Sequence, residues 1–134
     1  SVKDVKISYD FNWQRLHWMS LQACYRRSAY FEYYEDDLAR FYENKTTYLF
    51  DYNEQLLRVL LGMIKLKIDL QFTGSYEPSY PDMEDYRLAF SAKKEPVFEQ
   101  KPYFQVFEER KGFLKNLSIV DLLFSQGPQT INYL

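Results

Sequence analysis

One short stretch of this sequence carries both the start and the end signals of a helix: Asn116-Leu-Ser-Ile-Val-Asp-Leu-Leu-Phe-Ser-Gln-Gly-Pro128. Ser118 stands at the N-cap position, where its hydroxyl can accept a hydrogen bond from an amide of the first turn. Asp121 follows in the same turn, where a carboxylate can reach back to complete a capping box. Gly127 offers a left-handed stop, and Pro128 prevents the α-helix from continuing. We therefore predict a helix with defined ends, in which Ser118 and Asp121 serve as caps.

The same two polar residues could be a nucleophile with a nearby acid. However, no glycine elbow precedes Ser118, and capping accounts for both side chains without any chemistry. The sequence therefore favours a structural role for Ser118 and Asp121.

Apolar periodicity predicts three longer helices upstream. The first spans about residues 13–26, the second about 29–44, and the third carries an apolar stripe from 49 to 64. Alternating apolar and polar residues at 5–9 and 68–72 predict two strands. The stripe expected to face inwards on the first helix consists of Trp13, Leu16, His17, Ser20 and Cys24, and it leaves Trp18 to one side.

These elements predict an α+β fold, a mainly helical single domain over residues 1–134 whose three core helices pack against a small β-sheet. A further short strand is expected at 86–90, within the proline-rich segment 76–102. A strand needs a neighbour, and nothing before residues 5–9 can supply one. We therefore expect a further N-terminal segment of the protein upstream of Ser1.

The composition indicates a globular protein and argues against several other classes. Apolar residues make up 46% of the chain and charged residues 27%, which is typical of a globular domain. The net charge of -2 argues against a nucleic-acid-binding protein, which normally carries a basic face. A single cysteine, Cys24, excludes an internal disulfide, and no apolar run is long enough for a transmembrane helix. We expect a cytoplasmic protein, and the sequence leaves an oligomer open.

His17 is the only histidine and the first candidate for a catalytic residue. A general base or a histidine bonded at the edge of an aromatic core would both fit its position, so the two alternatives stay open. One histidine and one cysteine leave only carboxylates as metal ligands, and none of them has calcium-loop spacing. No metal site is predicted, and no motif identifies a cofactor.

Two further sets of residues are candidates for ligand binding. Tyr103, Gln105 and Asn116 bring a phenol and two amides beside the capped helix, where they suit sugar hydroxyls or a carbonyl. They could equally satisfy buried backbone groups. Arg87, in the proline-rich segment with Lys93 and Lys94, could reach an anionic ligand or could simply be scattered surface charge.

The order of these features resembles the WbqC-like protein family, in the version found in Bacteroides-type bacteria. The part that resembles the middle of the family comprises Val5-Lys6-Ile7, Trp13, His17-Trp18, Tyr25 and Phe31-Glu32-Tyr33-Tyr34. The part that is similar to the family's C-terminal signature comprises residues 102–107, Gly112-Phe113 and 116–128. The resemblance covers essentially all 134 residues, and the C-terminal motif is its most specific part. Family members normally carry a further N-terminal segment, so the chain resembles roughly the last two thirds of one.

The resemblance implies a link to surface polysaccharides of the O-antigen type and to modified sugars. The enzyme implied would transfer an acyl or aminoacyl group during nucleotide-sugar modification, with a nucleotide sugar or an acyl donor as partner. His17 is then the expected catalytic residue, and the expected substrate-binding residues are Tyr103, Gln105, Asn116 and Arg87. The alternative is a non-catalytic binding or scaffolding module of a surface-glycan pathway.

Overall fold

The computed structural model describes residues 1–81, 83–87 and 99–134. Five α-helices lie in these residues: α1 (Trp13–Tyr25), α2 (Phe31–Glu43), α3 (Leu49–Met63), α4 (Glu108–Lys111) and α5 (Ile119–Gln126). Two 3-10 helices, Val2–Asp4 and Gly127–Tyr133, lie near the two ends. The three long helices confirm the elements predicted from apolar periodicity, and the short helix before Gly127 confirms the one predicted from its end signals.

The predicted small β-sheet is wrong for the described part of the chain, which contains helices and no strand. Residues 5–9 do pair, but only through a single antiparallel bridge between Lys6 and Tyr48. The Ile7 amide donates to the Thr47 carbonyl at 3.0 Å, and the Leu49 amide donates to the Val5 carbonyl at 2.9 Å. Alternation describes which face of a strand is apolar, but a sheet also needs a second extended segment alongside, and α3 begins immediately after this bridge.

The other two predicted strands are likewise not found among the described residues. Residues 68–72 are not a strand, and both Ile68 and Phe72 are about half exposed. Phe72 contacts the ring of Phe50 edge-on, with the centroids 5.4 Å apart, so one side chain of this segment packs against α3. Of the strand expected at 86–90, only Tyr86 and Arg87 are described, and the rest lies outside the described residues.

α1 begins as predicted but faces the core with a different stripe. The Asn12 side chain caps the helix by accepting from the Arg15 amide at 3.3 Å. Trp18, Leu21 and Tyr25 pack against the core, whereas Leu16, His17 and Ser20 are exposed. The predicted inward stripe is wrong at these exposed positions, because turning the helix buries the large Trp18 and Tyr25 rings in place of an imidazole and a hydroxyl.

α2 and α5 supply the centre of the core. On α2 the buried residues are Phe31, Tyr34, Leu38 and Phe41, which repeat at helical spacing. Phe31, Leu123 and Phe124 are fully buried, and the rings of Phe31 and Phe124 meet with their centroids 5.1 Å apart. The short helix singled out in the sequence is therefore a central element, packed between the longer helices.

Gly127 ends α5 with a φ of +53°, as the sequence predicts. A Cβ atom here would collide with the ring of Tyr30, so both the backbone conformation and the close approach require glycine. The chain then continues as the second 3-10 helix, which has Pro128 in its first turn. Within the described residues, no helix is both long and apolar enough to span a bilayer.

Candidate functional site

A cleft of about 640 Å³ opens between the C-terminal end of α1 and the segment 104–110, and we call it the arginine cleft. Its first wall comes from the last turn of α1, with Gln22 and Cys24, and from Arg26 and Arg27, which directly follow that helix. Its second wall comes from the segment that leads into α4 and from α4 itself. The two walls are far apart in the sequence, so only the folded chain creates this site.

Three guanidinium groups line the arginine cleft, those of Arg26, Arg27 and Arg110. None of them forms a side-chain hydrogen bond or ion pair with any residue that the structure describes. Glu109 is the acidic residue of the lining, so positive charge is in excess there. Arg26 and Arg27 also complement the partial negative charge at the end of α1, which helps to explain their position without a side-chain partner among the described residues.

Two aromatic side chains stand beside these arginines. Phe104 and Phe107 line the same cleft, and 64% and 44% of their surfaces are exposed. Exposed phenyl rings next to guanidinium groups can stack on the flat face of a nucleobase while the cations hold an anionic group. The lining therefore combines binding groups for both parts of a nucleotide.

Asp121 of α5 and Tyr103, which directly precedes Phe104 of the second wall, form a buried polar pair that we call the Asp121 hub. The Tyr103 hydroxyl donates to Oδ2 of Asp121 at 2.7 Å, and both residues are buried. Burial, followed by the influence of the Asp121 carboxylate, raises the pKa of the Tyr25 hydroxyl well above its ordinary value. Burial and the same hydrogen bond raise the pKa of Tyr103. Both hydroxyls therefore stay protonated near neutral pH, and that of Tyr103 serves as a donor.

The hub corrects the prediction for the caps of α5. Ser118 does occupy the N-cap position, but its side chain makes no capping hydrogen bond. Asp121 does not reach back to the helix start, because its carboxylate accepts from Tyr103 inside the protein. A buried phenol without a partner is costly, so this contact outweighs a cap that water can replace at an exposed helix end.

Two of the predicted substrate-binding residues, Tyr103 and Gln105, are engaged inside the protein. Tyr103 belongs to the Asp121 hub. The Gln105 amide bonds the backbone of Leu114 in both directions, donating to its carbonyl at 2.7 Å and accepting from its N–H at 2.8 Å. The side chains of both residues hold the segment that carries the second wall of the cleft. Their predicted contact with substrate stays a prediction.

Asn116 lies on the surface in a left-handed backbone conformation, with a φ of +59°. The backbone N–H of Asn116 donates to Oε1 of Gln100 at 2.9 Å. With Gln100, Ser118 and Tyr133 it lines a smaller cleft of about 300 Å³. The structure places Asn116 there and not in the arginine cleft.

The side-chain donors of Arg87 are engaged by residues close to it in the sequence. Its Nε donates to both carboxylate oxygens of Asp85, at 2.8 and 3.0 Å, and Nη2 contacts the same carboxylate. Nη1 donates to the Glu77 carbonyl at 2.9 Å, and the rings of Tyr76 and Tyr80 lie against the guanidinium. An anionic ligand would have to displace these partners. Lys93 and Lys94, grouped with it in the sequence, lie outside the described residues.

His17 lies exposed on the outer face of α1, where its ring contacts Trp13 edge-on with the centroids 5.3 Å apart. It lines neither the arginine cleft nor the cleft at Asn116. No contact within the described residues joins it to Tyr103, Gln105 or Asn116. The structure therefore does not bring the predicted site residues together, and the catalytic role of His17 stays a prediction.

Sequence reasoning missed the arginine cleft. Arg26 and Arg27 form a visible dibasic pair at a predicted helix end, which was a usable signal. Nothing local, however, shows that Arg110 and Phe104 fold back against them. Among the described residues, no group of three or more His, Cys, Asp and Glu side chains is placed to hold a metal ion.

The first 89 of the 134 residues, 1–89, match a model of the WbqC-like protein family. This range includes α1 to α3 and the first wall of the arginine cleft. The likeness of residues 102–128 to the family's C-terminal signature lies beyond the matched range and stays a prediction. No curated protein and no solved structure matches the chain. Because the matched range covers well over half of its length, the chain belongs to the WbqC-like protein family.

Proposed function

We propose that this protein binds a nucleotide sugar in the arginine cleft and acts in the cytoplasm as an enzyme of nucleotide-sugar or surface-polysaccharide modification, such as acyl or aminoacyl transfer. The observation that carries the proposal is the convergence on one cleft of three guanidinium groups that have no side-chain partner in the part of the chain that the structure describes. Membership of the WbqC-like family supports the wider context, because the resemblance implies a link to surface glycans.

The arginines suit a diphosphate. Each guanidinium presents several donors in a planar fork that can bond two phosphate oxygens at once. Arg26 and Arg27 approach from the end of α1 and Arg110 from α4, so a diphosphate between the walls could be contacted from two sides. Because these side chains are exposed and unpaired, binding would not require any ion pair of the described structure to break.

The phenyl rings suit the base. Stacking of a base on an aromatic side chain contributes about 1–3 kcal/mol and tolerates different bases. Phe104 and Phe107 are exposed enough to offer such a face. The site should therefore bind several nucleotides with similar affinity, and the sugar would supply the selectivity.

An acyl donor built on coenzyme A carries the same two features, a diphosphate and a base. The cleft chemistry is shared between this donor and a nucleotide sugar, so a binding experiment has to include both. A preference for one class decides whether the cleft holds the sugar substrate or the group that is transferred to it.

The second candidate function is a non-catalytic binding module of a surface-glycan pathway. It is favoured by the position of His17, which does not line the arginine cleft. A module of this kind would bind the nucleotide sugar and release it unchanged.

The test is calorimetric titration with UDP-glucose, GDP-mannose and acetyl-coenzyme A. We expect saturable binding of at least one of them, and a loss of affinity of about tenfold for each of Arg26→Gln and Arg27→Gln, since hydrogen bonds to charged groups contribute about 1.5–3 kcal/mol. Arg15→Gln is the matched control, because Arg15 is an exposed arginine of α1 outside the cleft. Absence of heat with all three ligands, or equal losses in the control, would refute the proposal.

A second measurement separates the enzyme from the binding module. The protein is incubated with each bound nucleotide sugar and acetyl-coenzyme A, and the sugar is followed by proton NMR. A new acylated sugar with release of free coenzyme A identifies the enzyme. An unchanged sugar that nevertheless binds in the titration identifies the module.

A further inference from the structure

We propose that a cleft at the C-terminal end of α3, which we call the Lys65 cleft, binds a small acidic sugar. The cleft has a volume of about 460 Å³, lies between α2 and α3, and shares no lining residue with the arginine cleft. Its size is typical of small-molecule sites, which range over roughly 300–1,000 Å³. The inference goes beyond the proposed function, and either of the two can fail without the other.

Lys65 has a backbone conformation that a lysine rarely adopts. It follows Ile64, the C-cap of α3, with a φ of +59°. The Leu66 amide donates to the Leu61 carbonyl at 2.9 Å. The Lys65 amide donates to the Gly62 carbonyl at 3.1 Å, which completes the hydrogen-bond pattern of a Schellman motif. Glycine is the usual residue at the left-handed position of this motif, so the chain gives up stability to place a lysine there.

Three residues earlier, a glycine occupies a position that does not require one. Gly62 lies in the last turn of α3, where an added Cβ atom would meet nothing within 4 Å. An alanine would therefore fit, and it would favour the helix. What the glycine provides is open space, because Gly62 lines both the Lys65 cleft and a neighbouring cleft of about 480 Å³. Both departures from the more stable residue thus line the same cleft.

The lining of the Lys65 cleft offers groups for an anion, for hydroxyls and for an apolar face. Lys65 is exposed and forms no side-chain hydrogen bond or ion pair with any described residue, so its ammonium group is available to a carboxylate. Arg40 and Arg58 add positive charge, although each pairs with an acid of its own helix. Asp37 can accept from hydroxyls, and Tyr33, which is 72% exposed, offers a ring face. A carboxylate, hydroxyls and an apolar face occur together in a uronic acid.

The test measures binding and stability on the same variants. Methyl glucuronide is the probe, and methyl glucoside, which lacks the carboxylate, is the neutral control. Backbone amide shifts of labelled protein are followed by NMR during each titration. We expect saturable shifts at Tyr33, Gly62 and Lys65 with the glucuronide and none with the glucoside.

Lys65→Gly should weaken glucuronide binding by about tenfold, the effect of losing one charge-assisted hydrogen bond. The same variant should raise the melting temperature by about 3 °C, because glycine relieves the strain at the left-handed position. Lys65→Arg keeps the charge and should bind nearly as well as the wild type. Lys115→Gln is the matched control, since Lys115 is an exposed lysine that does not line the cleft.

Gly62→Leu supplies a second, independent arm. Leucine favours the helix, so the melting temperature should rise here as well, while the longer side chain fills the cleft and abolishes the glucuronide shifts. Arg26→Gln should leave glucuronide binding unchanged, so a failure of the arginine cleft to bind UDP-glucose is distinguishable from a failure of this site.

Four results would overturn the inference. They are absence of saturable shifts with the glucuronide, equal binding of the glucoside, an unchanged affinity in Lys65→Gly, and an equal loss of affinity in Lys115→Gln. A melting temperature that falls in both Lys65→Gly and Gly62→Leu would also contradict it, because the two residues would then serve the stability of the helix end and not a ligand.

Discussion

Asp121 and Asp85 each collect polar groups from their surroundings, one inside the protein and the other at its surface. Asp121 accepts from Tyr103, which is 18 residues away in the sequence, and both side chains are buried. Asp85 pairs with Arg87, only two residues away, and both are exposed. The first network joins distant elements and the second shapes only its own loop.

The comparison shows that the availability of a polar group matters more than its presence. Arg87 has its donors occupied by Asp85 and by the Glu77 carbonyl, so its charge is already compensated. Asp121 accepts from a phenol inside the protein, and the arginines of the cleft have no side-chain partner among the described residues. A buried acid that accepts from a phenol leaves surface arginines available for a ligand. An exposed acid beside an arginine occupies donors that a ligand would need.

The largest effect is expected on removal of the buried carboxylate. Asp121→Ala leaves the buried Tyr103 hydroxyl without its acceptor, so the free energy of unfolding should fall by about 2 kcal/mol. Asp85→Ala should leave the urea midpoint unchanged, because water replaces the carboxylate at an exposed site. Urea unfolding followed by tyrosine fluorescence measures both. Equal changes in the two variants would abolish the distinction between the networks.

An intermediate effect is expected at high pH. Burial and Asp121 raise the pKa of Tyr25 and Tyr103, so the folded state holds these protons more tightly than the unfolded state. Their contribution to stability is complete below the ordinary tyrosine pKa of 10.0 and declines as the pH rises above it. Urea unfolding on both sides of this value should show a shallower alkaline decline in Tyr103→Phe than in the wild type.

The control for the alkaline measurement is His17→Gln, which leaves every tyrosine of the hub in place. Burial also raises the pKa of Tyr34, Tyr42 and Tyr52, and these residues contribute the same background decline in every variant. An identical decline in Tyr103→Phe and the wild type would mean that the hub does not retain its protons on folding.

The smallest effect is expected at the exposed pair. Hydrogen bonding to Arg87 holds the pKa of the Asp85 carboxyl at about 2, below its ordinary value of 3.8. A pKa lowered in the folded state contributes stability above the ordinary value and loses it as the pH falls through the lowered one. Carbon-detected NMR titration should show the Asp85 midpoint move up towards 3.8 in Arg87→Gln, with no change in the urea midpoint. An Asp85 midpoint that stays in place would mean that Arg87 is not its partner in solution.

Much of the helical part of the fold could be predicted from the sequence. Helical spacing identified α1 to α3, and Gly127 marked a helix end that the structure confirms. The sheet was wrong because the alternation at residues 5–9 specifies a strand's faces but not its partner. The inward face of α1 was also wrong, because the choice between His17 and Trp18 depends on the helices packed against them.

The site was harder to predict for the same reason. Whether Asp121 caps its own helix or accepts from Tyr103 depends on a contact across 18 residues, which no local pattern encodes. The sequence suggested that Arg87 was available to an anionic ligand, but the Glu77 carbonyl and the rings of Tyr76 and Tyr80 surround it. Arg26 and Arg27 were visible as a pair, but their meeting with Arg110 is a product of tertiary structure.

The most direct test of the account is to locate a nucleotide on the protein. Backbone amide shifts of labelled protein are recorded by NMR during a titration with UDP-glucose. Binding in the arginine cleft predicts that the largest shifts fall on Cys24, Arg26 and Arg27 in one wall and on Phe104 and Arg110 in the other. Shifts confined to Asn116 and Gln100, or to His17 and Trp13, would contradict it.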